Sequence, residues 1–162
     1  MVNSLKELMM REPRLTLAAA ESMTCGRVQA RIGAISGASE FFLGGITAYT
    51  LEQKVRHLGV VRGEAAGVNS VSAAVAEQMA LGVCALFGSD LGVATTGYAE
   101  PAAEQSVAHP FAWWAVARAG AAGQVRSGRV SFPGATRIEA QERAADAAMA
   151  ALIAFVEDLR AK

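Results

Sequence analysis

Leu15-Thr16-Leu17-Ala18-Ala19-Ala20-Glu21-Ser22-Met23-Thr24-Cys25-Gly26 is the stretch from which the architecture of this chain can be worked out. The apolar run Leu15–Ala20 predicts a buried first strand, and a pattern of helical spacing follows from Thr24 to Gly37. Ser22 is therefore predicted at a junction where a buried strand turns into a helix. Such a junction can position a nucleophile and present backbone N–H groups to an anion or an oxyanion.

Apolar periodicity and capping residues predict further elements on both sides of this junction. The other predicted strands are Phe41–Tyr49, Leu91–Thr96, Phe111–Ala117 and Val125–Phe132, and the other helices are a short one from Asn3-Ser4 to Pro13, Leu51–Leu58, one from Ser70 or Ser72 to Gly88, and one capped by Thr136 and Glu139. A loop with Gly63 and Gly67 precedes the longer helix, and the last two strands form a hairpin around Gly120 and Gly123. The early alternation predicts an α/β fold with helices on both faces of a largely parallel sheet.

Size and charge limit the classes of protein to consider. The 162 residues suit one domain, residues 1–162, with 52% hydrophobic and 19% charged residues. Basic and acidic residues are equal at 15 each, so the formal charge is zero and a nucleic-acid partner is not expected. The arginines of the last predicted strands and helix, Arg137 among them, are interpreted first as solvated charges, of which one or two can contact a phosphate.

Other features exclude membrane, metal and disulfide classes. No uncharged segment reaches the roughly 18 residues that a bilayer span needs. Lys6, Glu7 and Arg11 stand where a signal peptide needs an apolar core, so a cytoplasmic location is expected. Two cysteines make no disulfide scaffold, and two histidines without ligand spacing make no metal site, so we expect no cofactor. The apolar content favours a homo-oligomer.

Two predicted strand ends carry polar residues, namely Glu21-Ser22 and Thr96-Gly97. Ligands of open α/β sheets bind beyond the carboxyl ends of the strands, so both ends are expected to line one crevice. As a nucleophile Ser22 needs a base, and neither histidine has a partner signal. Lys54, in the first turn of a short helix, is the best-placed alternative, because partial burial and the positive helix terminus both lower a lysine pKa. From the residues alone, a helix-capping Ser22 and a surface Lys54 remain the more common readings.

The same motifs resemble, in order along nearly the whole chain, those of the CinA C-terminal domain family. Glu21–Gly26 is similar to that family's E-S-C-T-G-G signature, and Leu91–Pro101 to its A-V-T-G-I-A-G-P segment. Further similar segments are Phe42–Thr50 with Lys54, Leu58-Gly59-Val60, Val71-Ser72, and Phe132-Pro133-Gly134 followed by Arg137. No single motif is strong, but the ordered series is specific.

The resemblance implies a three-layer α/β/α domain with a mixed, mostly parallel sheet. It also implies an amidohydrolase that converts nicotinamide mononucleotide to nicotinic acid mononucleotide and ammonia. The implied catalytic residues are Ser22 and Lys54 as a Ser–Lys pair, with Tyr49 as an orienting hydroxyl, and the implied substrate-binding residues are Thr24, Gly26, Thr96, Gly97 and Arg137. Many members carry an additional N-terminal domain, and this chain resembles the stand-alone form.

Departures from the family pattern concentrate at the predicted site. Cys25 replaces a glycine, and a small buried residue is favoured over a reactive thiol there. Ala99–Glu104 replaces A-G-P-x-G-G, so Glu100 and Glu104 bring negative charge toward a phosphate position. Gln141 falls near the position of a further family arginine. Two functions therefore stay open: an active amidohydrolase, or a non-catalytic family member that binds a small ligand or acts as an oligomeric partner.

Overall fold

The structure is a computed structural model, and it describes residues 2–120 and 124–162. Its helices are α1 (Val2–Met10), α2 (Arg27–Gly33), α3 (Leu51–Leu58), α4 (Arg62–Ala66), α5 (Ala73–Phe87) and α6 (Arg137–Arg160). Its strands are β1 (Leu17–Glu21), β2 (Phe42–Thr47), β3 (Leu91–Tyr98), β4 (Phe111–Arg118) and β5 (Val125–Ser131).

The five strands of the described residues form one sheet in the order β2-β1-β3-β4-β5. β1 pairs in parallel with both β2 and β3. β4 runs antiparallel to its neighbours β3 and β5. Every strand except β4 therefore points the same way, which confirms the predicted α/β fold with a mixed, mostly parallel sheet.

Alternation along β1 directs its side chains into two cores, one on each face of the sheet. Leu17 and Ala19 belong to the core that α1, α2 and α6 cover. Ala18 and Ala20 belong to the core that α3 and α5 cover. All of β1 is buried, which is why its sequence is continuously apolar up to Glu21 instead of alternating. The two covered faces give the three-layer α/β/α arrangement.

Small residues let α5 lie close to the sheet. A Cβ at Gly92 of β3 would collide with the carbonyl oxygen of Ala80 in α5. Ala76 and Ala80 face Ala18 and Ala94 within the same core. The alanine-rich composition thus serves close helix–sheet packing on the face that also supports α3.

The capping box predicted at Thr136 and Glu139 starts α6. The Thr136 hydroxyl accepts from the Glu139 N–H at 3.3 Å, and the Glu139 carboxylate accepts from the Thr136 N–H at 2.7 Å. Arg137 becomes the first residue of the helix. Across residues 2–120 and 124–162, no helix combines the length and the apolar character needed to cross a membrane.

Two of the predicted elements need correction. α2 begins at Arg27, because Cys25 and Gly26 before it adopt positive φ and cannot belong to a right-handed helix. It ends at Gly33, before the predicted end at Gly37. The segment predicted as a loop with Gly63 and Gly67 contains the short helix α4. The Gln78 side chain holds this helix in place, because its amide nitrogen donates to the Glu64 carboxylate and its amide oxygen accepts from the Val61 N–H. Ser72 caps α5. The predicted turn residue Gly123 lies outside the described residues.

Candidate active site

The strand-to-helix junction is a tight turn that follows β1. The Ser22 N–H donates to the Thr95 carbonyl of β3 at 3.1 Å, and the Cys25 N–H donates to the Ser22 carbonyl at 3.1 Å. These two bonds fix the backbone on both sides of the Ser22 side chain, which is buried. Ser22 therefore lies at the carboxyl end of β1, as predicted, and not at the N-cap of α2, which is Gly26.

Glu21 has a structural role that the sequence reasoning missed. Its buried carboxylate accepts from the backbone N–H groups of Val28 and Gln29 at 2.8 and 3.1 Å. It also accepts from the Gln29 amide at 2.8 Å and the Thr24 hydroxyl at 2.6 Å. A carboxylate at a helix N-terminus satisfies its unpaired N–H groups and the helix dipole together. An acidic residue shortly before a helical pattern is the signal that indicates this role.

Lys54 is buried, with 3% of its surface exposed, so the surface-lysine reading is wrong. Its Nζ donates to Ser22 Oγ at 2.9 Å and to the Tyr49 carbonyl oxygen at 3.0 Å. Burial lowers the pKa of Lys54 from 10.5 to about 8. A substantial fraction of the amine is therefore neutral in mildly alkaline solution, within hydrogen-bond distance of the hydroxyl whose proton it can accept.

Tyr49 contacts the Ser22–Lys54 pair through its backbone, while its side chain contacts Arg137. Its carbonyl oxygen accepts from Lys54 and lies 3.4 Å from Ser22 Oγ. Its hydroxyl accepts from an Arg137 guanidinium nitrogen at 2.8 Å. In this structure the carbonyl oxygen of Tyr49 contacts the Ser22–Lys54 pair and its hydroxyl contacts Arg137, and an orienting role for the hydroxyl stays a prediction.

Arg137 joins the Tyr49 hydroxyl to the rebuilt loop after β3. Its second guanidinium nitrogen lies 2.9 Å from a Glu100 carboxylate oxygen, and both side chains are exposed, at 45% and 62%. Glu100 is the residue that replaces the family glycine in this loop. The negative charge predicted near a phosphate position is thus paired with the arginine predicted to contact the substrate.

These residues line one pocket of about 510 Å³, a volume typical of small-molecule sites. The predicted site residues that line it are Ser22, Tyr49, Lys54, Thr96, Gly97 and Arg137. We call Glu21, Ser22, Thr24 and Lys54, which are buried at the carboxyl end of β1 and beside it, the floor. We call Glu100, Glu104, Arg137 and the Tyr49 ring, which are exposed, the mouth.

Two predicted substrate-binding residues lie outside the pocket lining. The Thr24 hydroxyl donates its only proton to Glu21 and accepts from the Thr95 hydroxyl at 2.7 Å. Gly26 adopts φ 92° at the start of α2. A substrate contact by either residue remains a prediction.

Thr96 and Gly97 line the pocket at the end of β3, where packing and hydrogen bonding fix both residues. The Thr96 hydroxyl donates to the Ser70 carbonyl at 2.7 Å, and Thr96 is buried. A Cβ at Gly97 would collide with the Phe111 carbonyl oxygen of β4. Both residues therefore contribute to the pocket wall from positions that β3 packing fixes.

Cys25 is exposed, so the prediction of a small buried residue is wrong. Its φ of 47° explains why a glycine suits this position in the family, since a left-handed conformation places Cβ close to the following carbonyl oxygen. In residues 2–120 and 124–162, no three histidine, cysteine, aspartate or glutamate side chains are grouped to bind a metal ion.

A model of the CinA C-terminal domain family matches residues 2–156 of this chain. A CinA-like protein from Picosynechococcus sp. is 44% identical over 98 residues, which are 60% of this chain and 23% of that protein. A CinA-like protein from Geobacter metallireducens is 46% identical over 91 residues, which are 56% of this chain and 22% of that protein. The matched part of the chain thus spans less than a quarter of the length of these curated relatives.

Solved structures show the same fold over nearly the full chain. The crystal structure of a CinA superfamily protein from Enterobacter cloacae matches with a TM-score of 0.86 and 25% identity, over 96% of this chain and 89% of that one. Competence damage-inducible protein A from Klebsiella pneumoniae matches with a TM-score of 0.83 and 28% identity, over 94% and 92%. With the family model covering almost every residue, this chain belongs to the CinA C-terminal domain family.

Proposed function

We propose that this chain is an amidohydrolase that releases ammonia from a primary carboxamide, nicotinamide mononucleotide or a related amide, by a Ser–Lys mechanism. The observation that carries the proposal is the 2.9 Å contact between Lys54 Nζ and Ser22 Oγ in a buried setting. A serine hydroxyl is a weak nucleophile until an adjacent base accepts its proton. Lys54 is adjacent, and its lowered pKa makes it a base at near-neutral pH.

In the proposed reaction, Ser22 Oγ forms a bond to the carboxamide carbon while its proton passes to neutral Lys54. The ammonium of Lys54 then returns that proton to the amide nitrogen, the C–N bond breaks, and ammonia leaves. Water next attacks the Ser22 ester with Lys54 as base, and the proton on Lys54 returns to Ser22 Oγ as the C–O bond breaks. The net change is carboxamide plus water to carboxylic acid plus ammonia.

The turn after Ser22 supplies a candidate donor for the oxyanion. Met23 follows the nucleophile and lines the pocket. Its backbone N–H has no hydrogen-bond partner among the residues that the structure describes. The N–H of the residue after a nucleophilic serine is a common oxyanion donor at such strand-to-helix turns.

A second candidate function is ligand binding without turnover, and the mouth favours it. The Arg137–Glu100 ion pair places a carboxylate on the arginine that a family substrate would contact. A chain of this kind would bind a small molecule in the same pocket and release no ammonia. Turnover of a carboxamide separates the two candidates directly.

The experiment measures ammonia release from nicotinamide mononucleotide and from its nucleoside by the purified chain. We expect turnover by the wild type and at least a thousandfold lower kcat for Ser22→Ala, because no other hydroxyl is placed on Lys54 in the described structure. Ser36→Ala, at an exposed serine beyond the C-terminal end of α2, is the matched control and should retain activity. Activity that survives Ser22→Ala would exclude this mechanism, and binding of either compound without ammonia release would favour the second candidate.

A further inference from the structure

We propose that this pocket selects a primary carboxamide that lacks a phosphate group, in preference to a phosphorylated mononucleotide. The inference rests on the amidohydrolase function proposed above and specifies its substrate class. It comes from the charges and backbone donors of the mouth, which the departures from the family pattern have altered.

Four of the described residues that line the pocket carry formal charges: Lys54, Glu100, Glu104 and Arg137. The amine of Lys54 is directed at Ser22 Oγ and the Tyr49 carbonyl, so it belongs to the floor. Arg137 is therefore the cation of the mouth, and one of its nitrogens already contacts Glu100 at 2.9 Å. Glu104 adds a second carboxylate to the same loop.

Lys54 must be neutral to accept the Ser22 proton. In that reactive state, two carboxylates face one guanidinium around the pocket. A phosphate dianion entering the mouth meets like charge and competes with Glu100 for Arg137, whereas an uncharged or cationic amide does not. The reactive state of the site thus disfavours a phosphate more than its resting state does.

Two positions of the loop give no backbone donor to a phosphate. The Ala102 N–H donates to the Val107 carbonyl at 2.9 Å, in a bridge that closes the loop on itself. Pro101 has no N–H to donate. A phosphate cradle needs several convergent N–H groups, which glycine-rich loops provide. This loop turns one of its N–H groups inward and lacks another.

A matched pair of substrates tests the inference, because nicotinamide riboside and nicotinamide mononucleotide share the ring and carboxamide and differ in the 5′-phosphate. We expect kcat/KM for the riboside to exceed that for the mononucleotide by at least tenfold. Calorimetric binding of both compounds to Ser22→Ala should show the same preference without any turnover. Raising the salt concentration should narrow the difference, because the mouth is exposed.

Substitution of the two carboxylates identifies the cause of the preference. In the double variant Glu100→Gln and Glu104→Gln, the ratio of kcat/KM for mononucleotide over riboside should rise at least tenfold. The control removes two exposed carboxylates that do not line the pocket, by Glu7→Gln in α1 and Glu157→Gln near the C-terminal end of α6, and should leave that ratio unchanged. Glu157 is twenty residues along the helix from Arg137, about 30 Å away.

The outcomes separate the two proposals. Preference for the riboside in binding, without ammonia from either compound, would refute the amidohydrolase and support the charge selection. Ammonia release with equal or better use of the mononucleotide would support the amidohydrolase and overturn the charge selection. Failure of both compounds to bind, or a double variant that changes both substrates equally, would also overturn it.

Discussion

The floor and the mouth of the pocket lie within one site and differ in almost every physical respect. The floor is buried and its polar groups are hydrogen-bonded within the protein, as the four hydrogen bonds that the Glu21 carboxylate accepts from Thr24, Val28 and Gln29 illustrate. The mouth is exposed, and its single ion pair joins two loosely enclosed side chains. The floor retains Glu21, Ser22 and Thr24 of the family signature, whereas the mouth combines the family-like Tyr49 and Arg137 with a loop in which Glu100 and Glu104 replace glycines.

Under the proposed function, the floor sets the chemistry and the mouth sets the selectivity. Burial gives the floor a low effective dielectric, so a small displacement of Lys54 changes its pKa and its distance from the Ser22 hydroxyl. Charges at the mouth are screened by water, so they can be exchanged at little cost in stability. A family member can therefore keep one reaction while its substrate preference changes, and the following predictions test that division.

The largest expected effect is at Lys54. Lys54→Met removes the base, so ammonia release should fall at least a thousandfold, about 4 kcal/mol in barrier. The same variant should be more stable at pH 7, by up to about 3 kcal/mol, because a buried lysine whose pKa falls from 10.5 to about 8 opposes folding while charged. Urea unfolding at pH 7 measures the gain.

The pH dependence of that gain has a definite sign. Between pH 8 and 10.5 the unfolded chain binds a proton at Lys54 that the folded chain has released, so wild-type stability rises with pH across this window. The advantage of Lys54→Met should therefore shrink above pH 8 and be constant below it. Lys162→Met, at an exposed residue, should show neither effect, and an equal gain at every pH would mean that Lys54 does not titrate in this range.

The next largest effect contrasts a floor carboxylate with a mouth carboxylate. Glu21→Gln places an amide group against backbone N–H donors and should lower the free energy of unfolding by about 3 kcal/mol. Glu100→Gln, at an exposed ion pair, should lower it by less than about 0.5 kcal/mol. Urea unfolding of both variants provides the comparison. Equal losses in the free energy of unfolding would show that the buried floor is no more sensitive to substitution than the exposed mouth.

A smaller effect is expected in the pH profile of the reaction. Only neutral Lys54 can accept the Ser22 proton, so kcat/KM should rise about tenfold from pH 7 to 9 and level off near pH 9. The midpoint should be near the pKa of about 8 that burial gives Lys54. Initial rates of ammonia release measure it. A flat profile, or one that falls across this range, would exclude Lys54 as the base.

The sequence was informative where local chemistry determines the structure. Leu51–Leu58 is a helix with the predicted bounds, because an apolar stripe and a following glycine specify it within one segment. The capping box at Thr136 and the buried run before Glu21 are equally local signals. These three signals place Lys54, Arg137 and Ser22, respectively. The parallel pairing of β1 and β3 brings the carboxyl ends of these two strands together.

Long-range packing determines what the sequence could not show. Lys54 is buried because α3 packs against α5, and no property of its own segment distinguishes it from a surface lysine. Glu100, which pairs with Arg137, is 37 positions away in the sequence, so no local pattern predicts this ion pair. The Tyr49 oxygen that contacts Lys54 belongs to the backbone, which every residue type shares.

The smallest effect concerns Cys25, at the solvent side of the turn that bears Ser22. Its φ of 47° costs a non-glycine residue roughly 1 kcal/mol, and part of the gain from glycine is offset by the greater freedom of the unfolded chain. Cys25→Gly should therefore raise the free energy of unfolding by at most about 1 kcal/mol. Cys25→Ala retains the Cβ and should give no gain, which separates relief of backbone strain from loss of the thiol. A loss of stability in Cys25→Gly with none in Cys25→Ala would mean that the turn depends on the restricted backbone of a residue that bears a Cβ. Relief of the strain at φ 47° would then not determine the stability of this turn.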